Sequence, residues 1–425
     1  MSKILTLFAF FIATLAFSQP KQGLWRGVLL LNKDKGLELP FNFDLKLLNK
    51  TVELTIYNAQ ERITITETSL SKDSLNFKMP VFDTEFRTKL TGDTLLTGIW
   101  LNHTKKENNT IPFTAKSGKA NRFIFAPEKP HSFYDGKWEV SFSVNTPDSS
   151  KAIGIFKHRI GTTVVEGTFL TETGDYRYLE GTEYNGKLYL SCFDGSHAFL
   201  FTAENNGTDI INGVFYSGST WSEPWAGKRN EHFELRDAEK LTWLKDPNEI
   251  IDFSFKNSND QTVSLSDSKF KNKVVIIQIM GSWCPNCMDE TAYLAKLYKK
   301  YTQKGIARFD SITEKHNRHI IEVIGLAYER TNDPEKAKNN ILRLKNRFGV
   351  EYEILITGLT GKDKASQSLP FLNGIMAFPT TLILDKNHKV KSVYTGFNGP
   401  ATGKAYETYT IKTENLIHEL INKKE

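Results

Sequence analysis

The sequence predicts a multidomain protein: an all-β N-terminal half made of two tandem β-rich modules, followed by a C-terminal α/β domain with a mixed sheet. Three observations predict this architecture. Short alternating apolar runs with Asn-Gly, Gly-Asp and Asp-Gly pairs fill the chain between residues 23 and 235, and part of that region repeats. Continuous apolar runs alternate with helical patterns after residue 248. The length of 425 residues fits roughly two to three domains.

Composition and charge exclude several classes of protein. Apolar residues make up 39% of the chain and charged residues 24%, which is ordinary for a globular protein and excludes a disordered one. The net charge of +6 is too small for a dedicated nucleic-acid binder, so we expect no nucleic-acid partner. Three cysteines in 425 residues exclude a disulfide-stapled scaffold, and we expect their role to be chemical.

Residues 1–18 have the pattern of a cleavable secretory signal peptide. Lys3 precedes an apolar run from Ile4 to Phe17, and small and polar residues follow. The run is shorter than the roughly 20 residues needed to cross a bilayer, and no later stretch is long enough, so we expect a mature chain without a transmembrane segment. An uncleaved anchor is the alternative. The pattern predicts export to the periplasm.

The β-rich half divides into two predicted modules, residues 19–128 and 129–235. GLWRGVLL at Gly23 resembles GKWEVSFS at Gly136, about 112 residues later, and LLTGIW and IINGVFY resemble each other at a similar spacing. This pattern predicts a tandem pair of barrels or sandwiches, because both architectures bury alternating strands. The alternative is that unrelated β segments share glycine and aromatic spacing by composition alone.

Residues 236–247 carry charges and a proline without a clear period, which predicts a linker, and residues 248–425 form the predicted α/β domain. KVVIIQIM is a continuous apolar run, typical of a strand buried on both faces, and helical spacing follows it. The helix in TNDPEKAKNNILRLKNRFG has Pro334 in its first turn and ends at Gly349. With the strands IIEVIGLAY, TTLILD and KVKSVYTGF and a closing helix, the order is β-α-β-α-β-β-α.

Two cysteines separated by two residues stand between the first buried strand and its helix, in GSWCPNCMDE. The backbone N–H groups and the positive end of the helix dipole favour a thiolate at Cys284, which predicts that this residue is the nucleophile. Cys287, one turn later and nearer the interior, is placed to expel a partner from a mixed disulfide. Pro285 is tolerated because the first helical turn requires no N–H at that position.

Two other interpretations of this pair fit the sequence less well. Zinc binding needs two further ligands, yet the third cysteine, Cys192, lies in the β-rich half and no second CxxC appears. A purely structural disulfide would close so short a loop that it constrains little of the unfolded chain. Cys192 itself is predicted to be a small buried apolar residue and not a third redox partner.

The stretch from about Asn248 to Glu425 resembles the thioredoxin fold, and within it the TlpA/ResA-like periplasmic thiol-disulfide oxidoreductases. WCPNC matches the WCxxC of this family, and AFPTTLIL matches its cis-proline segment. The resemblance implies that Pro379 is cis and faces the disulfide, and that the backbone of Phe378 pairs with a substrate strand. It also implies that Trp283 forms part of the apolar surface around the reactive sulfur, with core packing as the alternative.

Glu290 lies three residues after Cys287 on the same helical face, a spacing that matches a glutamate common in this family. It is either the proton acceptor for the buried thiol or an acidic residue that merely suits the helix dipole. Gln278 stands where other thioredoxins carry a buried aspartate and takes no proton at neutral pH, which favours the first role. We expect the neighbouring Asp289 to be a solvated charge.

These features predict an enzyme: a periplasmic thiol-disulfide oxidoreductase that exchanges the Cys284/Cys287 dithiol with protein disulfides and needs no cofactor or metal. The family resemblance favours a reductant of the cytochrome c maturation type, re-reduced by a membrane electron donor. A thiol peroxidase fits less well, because it predicts one peroxidatic cysteine without a CxxC partner. Partner binding by the β-rich half is an alternative of a different class. The segment from Ala307 to His319 lengthens a helix-to-strand connection and has no functional interpretation.

Overall fold

The computed structural model describes residues 19–49, 51–126, 129, 132–302 and 320–423. The predicted signal peptide, residues 1–18, and the segment from Ala307 to His319 lie outside the described residues. The described chain forms three sheets, one in each β-rich module and one in the C-terminal domain. In these ranges, no helix combines the length and the apolar character that a membrane span requires.

The first module is one antiparallel sheet that contains nine strands among the described residues. The strands are β1 Gly23–Asn32, β2 Leu37–Leu48, β3 Thr51–Asn58, β4 Glu61–Ile65, β5 Thr68–Leu70, β6 Leu75–Lys78, β7 Thr84–Thr91, β8 Leu95–Asn102 and β9 Thr110–Ser117. Their order is β4-β3-β2-β1-β9-β8-β7-β6-β5, so the first and last strands pair at the centre. Alternating residues point to one side, and Phe41, Phe43 and Leu45 of β2 accordingly enter a single core.

The second module closes on itself. Its strands are β10 Gly136–Phe142, β11 Ser150–His158, β12 Val164–Thr171, β13 Gly174–Asp175, β14 Leu179–Tyr184, β15 Lys187–Phe193, β16 Ala198–Asn205, β17 Ile210–Ser217 and β18 Trp221–Arg229. The order is β11-β10-β18-β17-β16-β15-β14-β12-β13, and β11 also pairs with β12. This extra pairing closes the sheet into a small barrel, one of the two architectures that the sequence predicts for these modules.

Matching contacts in the two modules confirm the tandem arrangement. The indole N–H of Trp25 donates a hydrogen bond of 2.8 Å to the carbonyl four residues upstream, and the indole of Trp138 makes the same contact at 2.8 Å. Each tryptophan follows a glycine in the left-handed region, Gly23 with φ 103° and Gly136 with φ 109°. In both modules the tryptophan lies on the first strand, which pairs with the second and the last.

The two modules also share a core. Phe193, at the end of β15 in the second module, packs among the buried side chains of the first module. Its ring centroid lies 4.8 Å from that of Phe41 and 5.5 Å from that of Trp100. Because these rings are fully or almost fully buried, the core of the first module extends into the second module, which also has a core of its own.

The C-terminal domain has a mixed sheet flanked by helices. Its strands are β19 Ser254–Asn257, β20 Thr262–Ser264, β21 Val274–Met280, β22 Ile321–Ala327, β23 Glu353–Ile356, β24 Thr380–Leu384 and β25 Val390–Thr395, and its helices are α1 Pro285–Thr302, α2 Pro334–Phe348, α3 Gly361–Ser368 and α4 Lys404–Asn422. The order is β20-β19-β23-β22-β21-β24-β25, in which β21, β22 and β23 are parallel and the other pairs antiparallel. The predicted mixed sheet is therefore confirmed.

The sequence prediction for this domain was incomplete. It omitted the strands β19, β20 and β23 and the helix α3, which are all short. A strand of three or four residues shows too little alternation to be recognised, and pairing with distant strands defines it. The predicted linker contains a 3-10 turn at Ala238–Lys240 and then pairs with the C-terminal domain, where Leu244 bridges to Leu372.

Candidate active site

Cys284 caps the N-terminus of α1. Gly281 follows β21 and begins the turn that places Cys284 just before Pro285, the first residue of the helix. The Cys284 carbonyl accepts a hydrogen bond of 3.1 Å from the Met288 N–H, and its sulfur accepts one of 3.3 Å from the Cys287 N–H. Sulfur thus takes the capping position that a serine or aspartate oxygen usually occupies, and the helix dipole favours negative charge there.

The two thiols differ in their surroundings. Cys284 is 7% exposed and Cys287 is fully buried, and both are free. Burial raises the pKa of Cys287 well above its ordinary value, and the hydrogen bond and charge of Cys284 raise it further, while the backbone at Gly281 lowers it. The structure therefore places the Cys284 sulfur nearer the surface and the Cys287 sulfur one turn inside.

Phe378, Pro379 and Trp283, the residues that the family resemblance implies, meet at the Cys284 sulfur. The Cys284 thiol donates to the Phe378 carbonyl at 3.5 Å, and the peptide bond between Phe378 and Pro379 is cis. Pro379 directly precedes β24, whose first residue, Thr380, pairs with the end of β21, and this pairing brings the segment to the cysteines. The rings of Trp283 and Phe378 pack edge to face at 5.5 Å and form an apolar wall beside the sulfur.

Glu290 is a buried carboxyl behind the cysteine pair. Its oxygens accept hydrogen bonds from Gln278 Nε2 at 2.9 Å, from Thr381 Oγ1 at 2.8 Å and from the Tyr409 hydroxyl at 2.9 Å. Burial raises the pKa of Glu290 to about 7, although these three hydrogen bonds lower it. Gln278 Nε2 also donates to the Cys287 carbonyl at 3.2 Å, so one amide connects the carboxyl to the backbone of the buried cysteine.

Sequence reasoning missed Glu329, a buried carboxyl that holds the turn before the cysteines. Its oxygens accept hydrogen bonds from the Ser282 N–H at 2.7 Å, the Ser282 hydroxyl at 2.6 Å and Asn340 Nδ2 at 3.1 Å. Burial raises the pKa of Glu329, against the lowering effect of these donors. One signal could have identified it: Glu329 follows a buried strand parallel to β21, and the carboxyl ends of such strands gather functional side chains.

Arg330 is a second residue that the sequence analysis missed. Its guanidinium carbon lies 3.5 Å from the centroid of the Trp283 ring, a cation–π contact. The indole N–H of Trp283 donates to the Tyr328 carbonyl at 2.9 Å, which fixes the ring on which Arg330 stacks. A permanent positive charge therefore stands beside the reactive cysteine.

The expectation that Asp289 is a solvated charge was wrong. Asp289 is 19% exposed and forms an ion pair with Arg177 of the second module, which also binds Glu61 of the first module. Arg177 further donates to the Pro285 carbonyl at 2.9 Å. Burial and the nearby Glu61 raise the pKa of Asp289 to about 7, although Arg177 lowers it. The sequence could not reveal this, because the β-rich modules bury this face of α1.

The third cysteine stands apart from the site. Cys192 lies in β15, has no exposed surface and belongs to the core of the second module. Burial raises the pKa of the Cys192 thiol well above its ordinary value. Among the residues that the structure describes, no group of three or more His, Cys, Asp and Glu side chains is arranged to hold a metal ion.

By sequence, the chain is similar to thiol-disulfide oxidoreductases and to thioredoxin-like proteins. Residues 245–317 match the Redoxin family. The chain is similar to the thiol-disulfide oxidoreductase ResA of Geobacillus thermodenitrificans (strain NG80-2), with 28% identity over 127 residues that cover 30% of this chain and 57% of ResA. It is also similar to the thioredoxin-like protein YneN of Bacillus subtilis (strain 168), with 23% identity over 159 residues, 37% of this chain and 76% of YneN. The chain therefore spans less than two thirds of the length of ResA.

Among solved structures, the chain is similar to a secreted thiol-disulfide isomerase from Corynebacterium glutamicum. It matches with a TM-score of 0.31 and 20% identity, over 45% of this chain and 97% of that chain. The observed sheet order and the cysteine pair at the start of α1 give the C-terminal domain a thioredoxin-like fold, and the sequence matches make the chain similar to ResA and to the Redoxin family. The C-terminal domain is joined to an N-terminal half built of two β-rich modules.

Proposed function

We propose that this protein is a thiol-disulfide oxidoreductase that exchanges the Cys284/Cys287 dithiol with disulfides in proteins. The observation that carries the proposal is the 3.3 Å hydrogen bond from the Cys287 N–H to the Cys284 sulfur, at the start of a helix and beside the Phe378 carbonyl. An N-terminal helix position favours the thiolate that such exchange requires. The similarity to ResA, which is named a thiol-disulfide oxidoreductase, supports the proposal.

The exchange takes place in two steps. First, the Cys284 thiolate attacks one sulfur of a substrate disulfide; the S–S bond breaks, the other substrate sulfur leaves as a thiolate, and a mixed disulfide joins Cys284 to the substrate. Next, Cys287 loses its proton and attacks the Cys284 sulfur, and the second substrate sulfur leaves as a thiolate. The protein then holds a Cys284–Cys287 disulfide, and the substrate has gained two electrons. An external dithiol donor reduces the pair again.

Glu290 accepts the proton that Cys287 must lose in the second step. A buried thiol needs such an acceptor, because burial disfavours its thiolate. The pKa of Glu290, raised by burial to about 7, suits proton exchange near neutral pH. The amide of Gln278, hydrogen-bonded to both Glu290 and the Cys287 carbonyl, keeps the carboxyl close to the thiol.

We further propose that electrons flow from the dithiol to the substrate, in the reducing direction that serves cytochrome c maturation. A dithiol is a strong oxidant when its reduced form is stabilised as a thiolate. Burial raises the pKa of Cys287, so this sulfur does not stabilise the reduced form as a thiolate. The apolar leader from Ile4 to Phe17 supports export and action in the periplasm, with a membrane-bound donor of electrons.

Reduction of insulin by dithiothreitol tests the proposed activity. Wild-type protein should accelerate the reaction, and Cys284→Ser should remove the acceleration completely. Cys287→Ser retains the attacking sulfur but not the resolving one, so it should accumulate mixed disulfides with the substrate that are visible on a non-reducing gel. Cys192→Ala is the matched control and should behave as wild type. Full activity of Cys284→Ser would contradict the proposal.

A further inference from the structure

The β-rich modules cover one side of the CxxC loop. The contacts are Ser196 Oγ to the Trp283 carbonyl at 3.3 Å, Arg177 Nη1 to the Pro285 carbonyl at 2.9 Å, Asn286 Nδ2 to the Asp175 carbonyl at 3.2 Å, and the Gly399 N–H to Asp175 Oδ2 at 2.6 Å. Gly396 shows how closely the second module approaches the C-terminal domain, because a Cβ at Gly396 would lie 2.6 Å from the carbonyl carbon of Thr173 in the second module. The second module therefore lies directly against the CxxC loop.

A cleft of about 970 Å³ lies between the β-rich modules and the CxxC loop. Its aromatic walls come from all three units: Phe82 of the first module, Tyr176 and Phe199 of the second, and Trp283 and Phe378 of the C-terminal domain. Cys284 also lines the cleft. This volume is typical of a small-ligand site, whereas the surface of a folded partner needs about 800 Å² of contact on each side. The cleft therefore fits an extended chain segment better than a folded surface.

The charges that line the cleft complement an acidic segment. Most charged side chains that line the cleft already have a partner. The ion pairs are Asp83 with Lys336, Glu172 with Arg236, Lys151 with Glu139 and His197 with Asp194, and Asp175 accepts a hydrogen bond from the Gly399 N–H. Two cations that line the cleft, Lys105 and Arg330, have no ion-pair partner within the described part of the chain. Lys105 belongs to the first module, whereas Arg330 stacks on Trp283 beside the reactive cysteine. The lining cations without an ion pair therefore come from two units, the first module and the C-terminal domain.

We propose that this cleft is the substrate site and that it selects an extended, acidic polypeptide segment that carries the disulfide. The inference rests on the proposed function and names its substrate class. The segment's disulfide meets Cys284, one acidic side chain pairs with Arg330 and another with Lys105, and the aromatic walls pack against its flanks. The Cys284 thiolate then forms the mixed disulfide and releases one substrate thiolate; Cys287 resolves it, and the segment leaves with both sulfurs reduced. Dithiothreitol serves as the reductant in the test.

Two synthetic peptides with the same internal disulfide test the charge selection, one with Glu and one with Lys beside the cysteines. For each peptide, the kcat/KM of the full chain is divided by the rate constant for reduction of that peptide by dithiothreitol alone. This division corrects for the intrinsic reactivity of the peptide. We expect wild-type protein to favour the Glu peptide by roughly fivefold, which corresponds to about 1 kcal/mol in total, or about 0.5 kcal/mol for each of two partly exposed ion pairs. The ratio should fall to about two or less in Lys105→Glu and in Arg330→Gln.

Lys72→Glu is the matched control, because it makes the same change of charge on the first module in the turn between β5 and β6, outside the cleft. It should retain the wild-type ratio. A second experiment uses a substrate protein that has a surface disulfide and measures its reduction in the folded and in the unfolded form. Each rate is again divided by the rate with dithiothreitol alone. We expect clear preference for the unfolded form. Equal rates for the two forms would overturn the proposal.

The remaining outcomes separate this inference from the proposed function. Hydroxyethyl disulfide is small and neutral, so its Cys284-dependent reduction reports the exchange chemistry without the cleft. If wild-type protein reduces it but shows no preference between the Glu and Lys peptides, the cleft proposal fails and the proposed function stands. The cleft proposal also fails if Lys105→Glu leaves the ratio unchanged, since the first module then forms no wall of the site. If wild-type protein reduces no disulfide, the proposed function fails.

Discussion

Two opposing electrostatic effects act on the carboxyl of Glu290. Three hydrogen bonds, from Gln278, Thr381 and Tyr409, stabilise the ionised carboxylate, yet burial favours the neutral acid. Burial is the larger effect, because it raises the pKa of Glu290 to about 7. A carboxyl balanced in this way changes protonation near neutral pH, where the buried thiol of Cys287 must lose its proton.

Glu290→Gln should change how stability depends on pH. Because the folded state raises the pKa of Glu290 from 4.5 to about 7, wild-type protein binds more protons folded than unfolded between these values. Its stability therefore falls as pH rises through this window, and the variant lacks this loss. Relative to wild type, the variant should gain up to about 3 kcal/mol between roughly pH 4.5 and pH 8. Urea unfolding at both pH values measures this difference.

The control for this prediction is Glu335→Gln, which removes an exposed carboxyl in the first turn of α2. It should show the same pH dependence as wild type. A difference between Glu290→Gln and wild type that is the same at both pH values would contradict a raised pKa at this residue. In the exchange reaction, the same variant should slow the resolution of mixed disulfides by about 100-fold if Glu290 accepts the proton.

The sequence identified these reacting residues but not what surrounds them. A CxxC pair at a helix start and a glutamate three residues later are local patterns, so Cys284, Cys287 and Glu290 could be chosen from the sequence. Thr381 and Tyr409 lie 91 and 119 residues from Glu290, and only the fold brings them to it. The raised pKa was therefore not predictable from the sequence.

At the scale of elements, the turn between β21 and α1 is fixed by its neighbour in the sheet. The strands β21 and β22 are parallel and in register at their ends, where Met280 pairs with Ala327. Two residues beyond each strand stand Ser282 and Glu329, and the carboxyl accepts hydrogen bonds from both the N–H and the hydroxyl of the serine. The position of the capping cysteine thus depends on a residue from another strand.

Glu329→Ala should loosen this turn. Removing the carboxyl leaves the buried Ser282 N–H and hydroxyl without their acceptor, which costs roughly 2 kcal/mol or more of folding free energy. We expect insulin reduction to fall by about tenfold, since the turn positions Cys284. Glu329→Gln keeps one carbonyl oxygen as an acceptor and should lie between Glu329→Ala and wild type. Wild-type activity and stability in the alanine variant would contradict a positioning role.

Secondary-structure elements with strong local sequence signals could be predicted, and elements with weak sequence signals could not. The helix α2 begins after Asp333, whose side chain accepts from the N–H groups of Glu335 and Lys336, and it ends at Gly349 with φ 60°. These capping residues are visible in the sequence. The strands β19, β20 and β23 have no comparable signal, because their pairing partners, and not their own residues, define them.

At the scale of the whole molecule, Arg177 joins all three units. It forms ion pairs with Glu61 of the first module and Asp289 of α1, while it lies between β13 and β14 of the second module. Burial alone would lower the pKa of Arg177, but the charges of Asp289, Glu61 and Asp194 raise it well above its ordinary value. The two modules and the α/β domain could be predicted from the sequence. Their contact could not, because Arg177 and Asp289 lie 112 residues apart.

Arg177→Met should destabilise the contact between the modules and the C-terminal domain. The substitution leaves Glu61, Asp194 and Asp289 largely buried without their shared cation, and breaking such a pair costs about 3 to 5 kcal/mol. Chemical unfolding and limited proteolysis measure the effect. Arg159→Met is the matched control, because Arg159 is 50% exposed in its pair with Glu166 and should cost less than about 1 kcal/mol. Equal effects of the two substitutions would contradict a structural role for Arg177.

The reduction potential of the Cys284/Cys287 couple in the full chain tests the central claim most directly. Equilibration in dithiothreitol buffers, followed by thiol alkylation and mass spectrometry, gives the oxidised fraction of each cysteine. We predict one two-electron couple between Cys284 and Cys287 near roughly −270 mV, with the fully buried Cys192 unreacted. A value near roughly −120 mV would contradict the reducing direction. Failure of the two cysteines to form a disulfide with each other would contradict the assignment of the site itself.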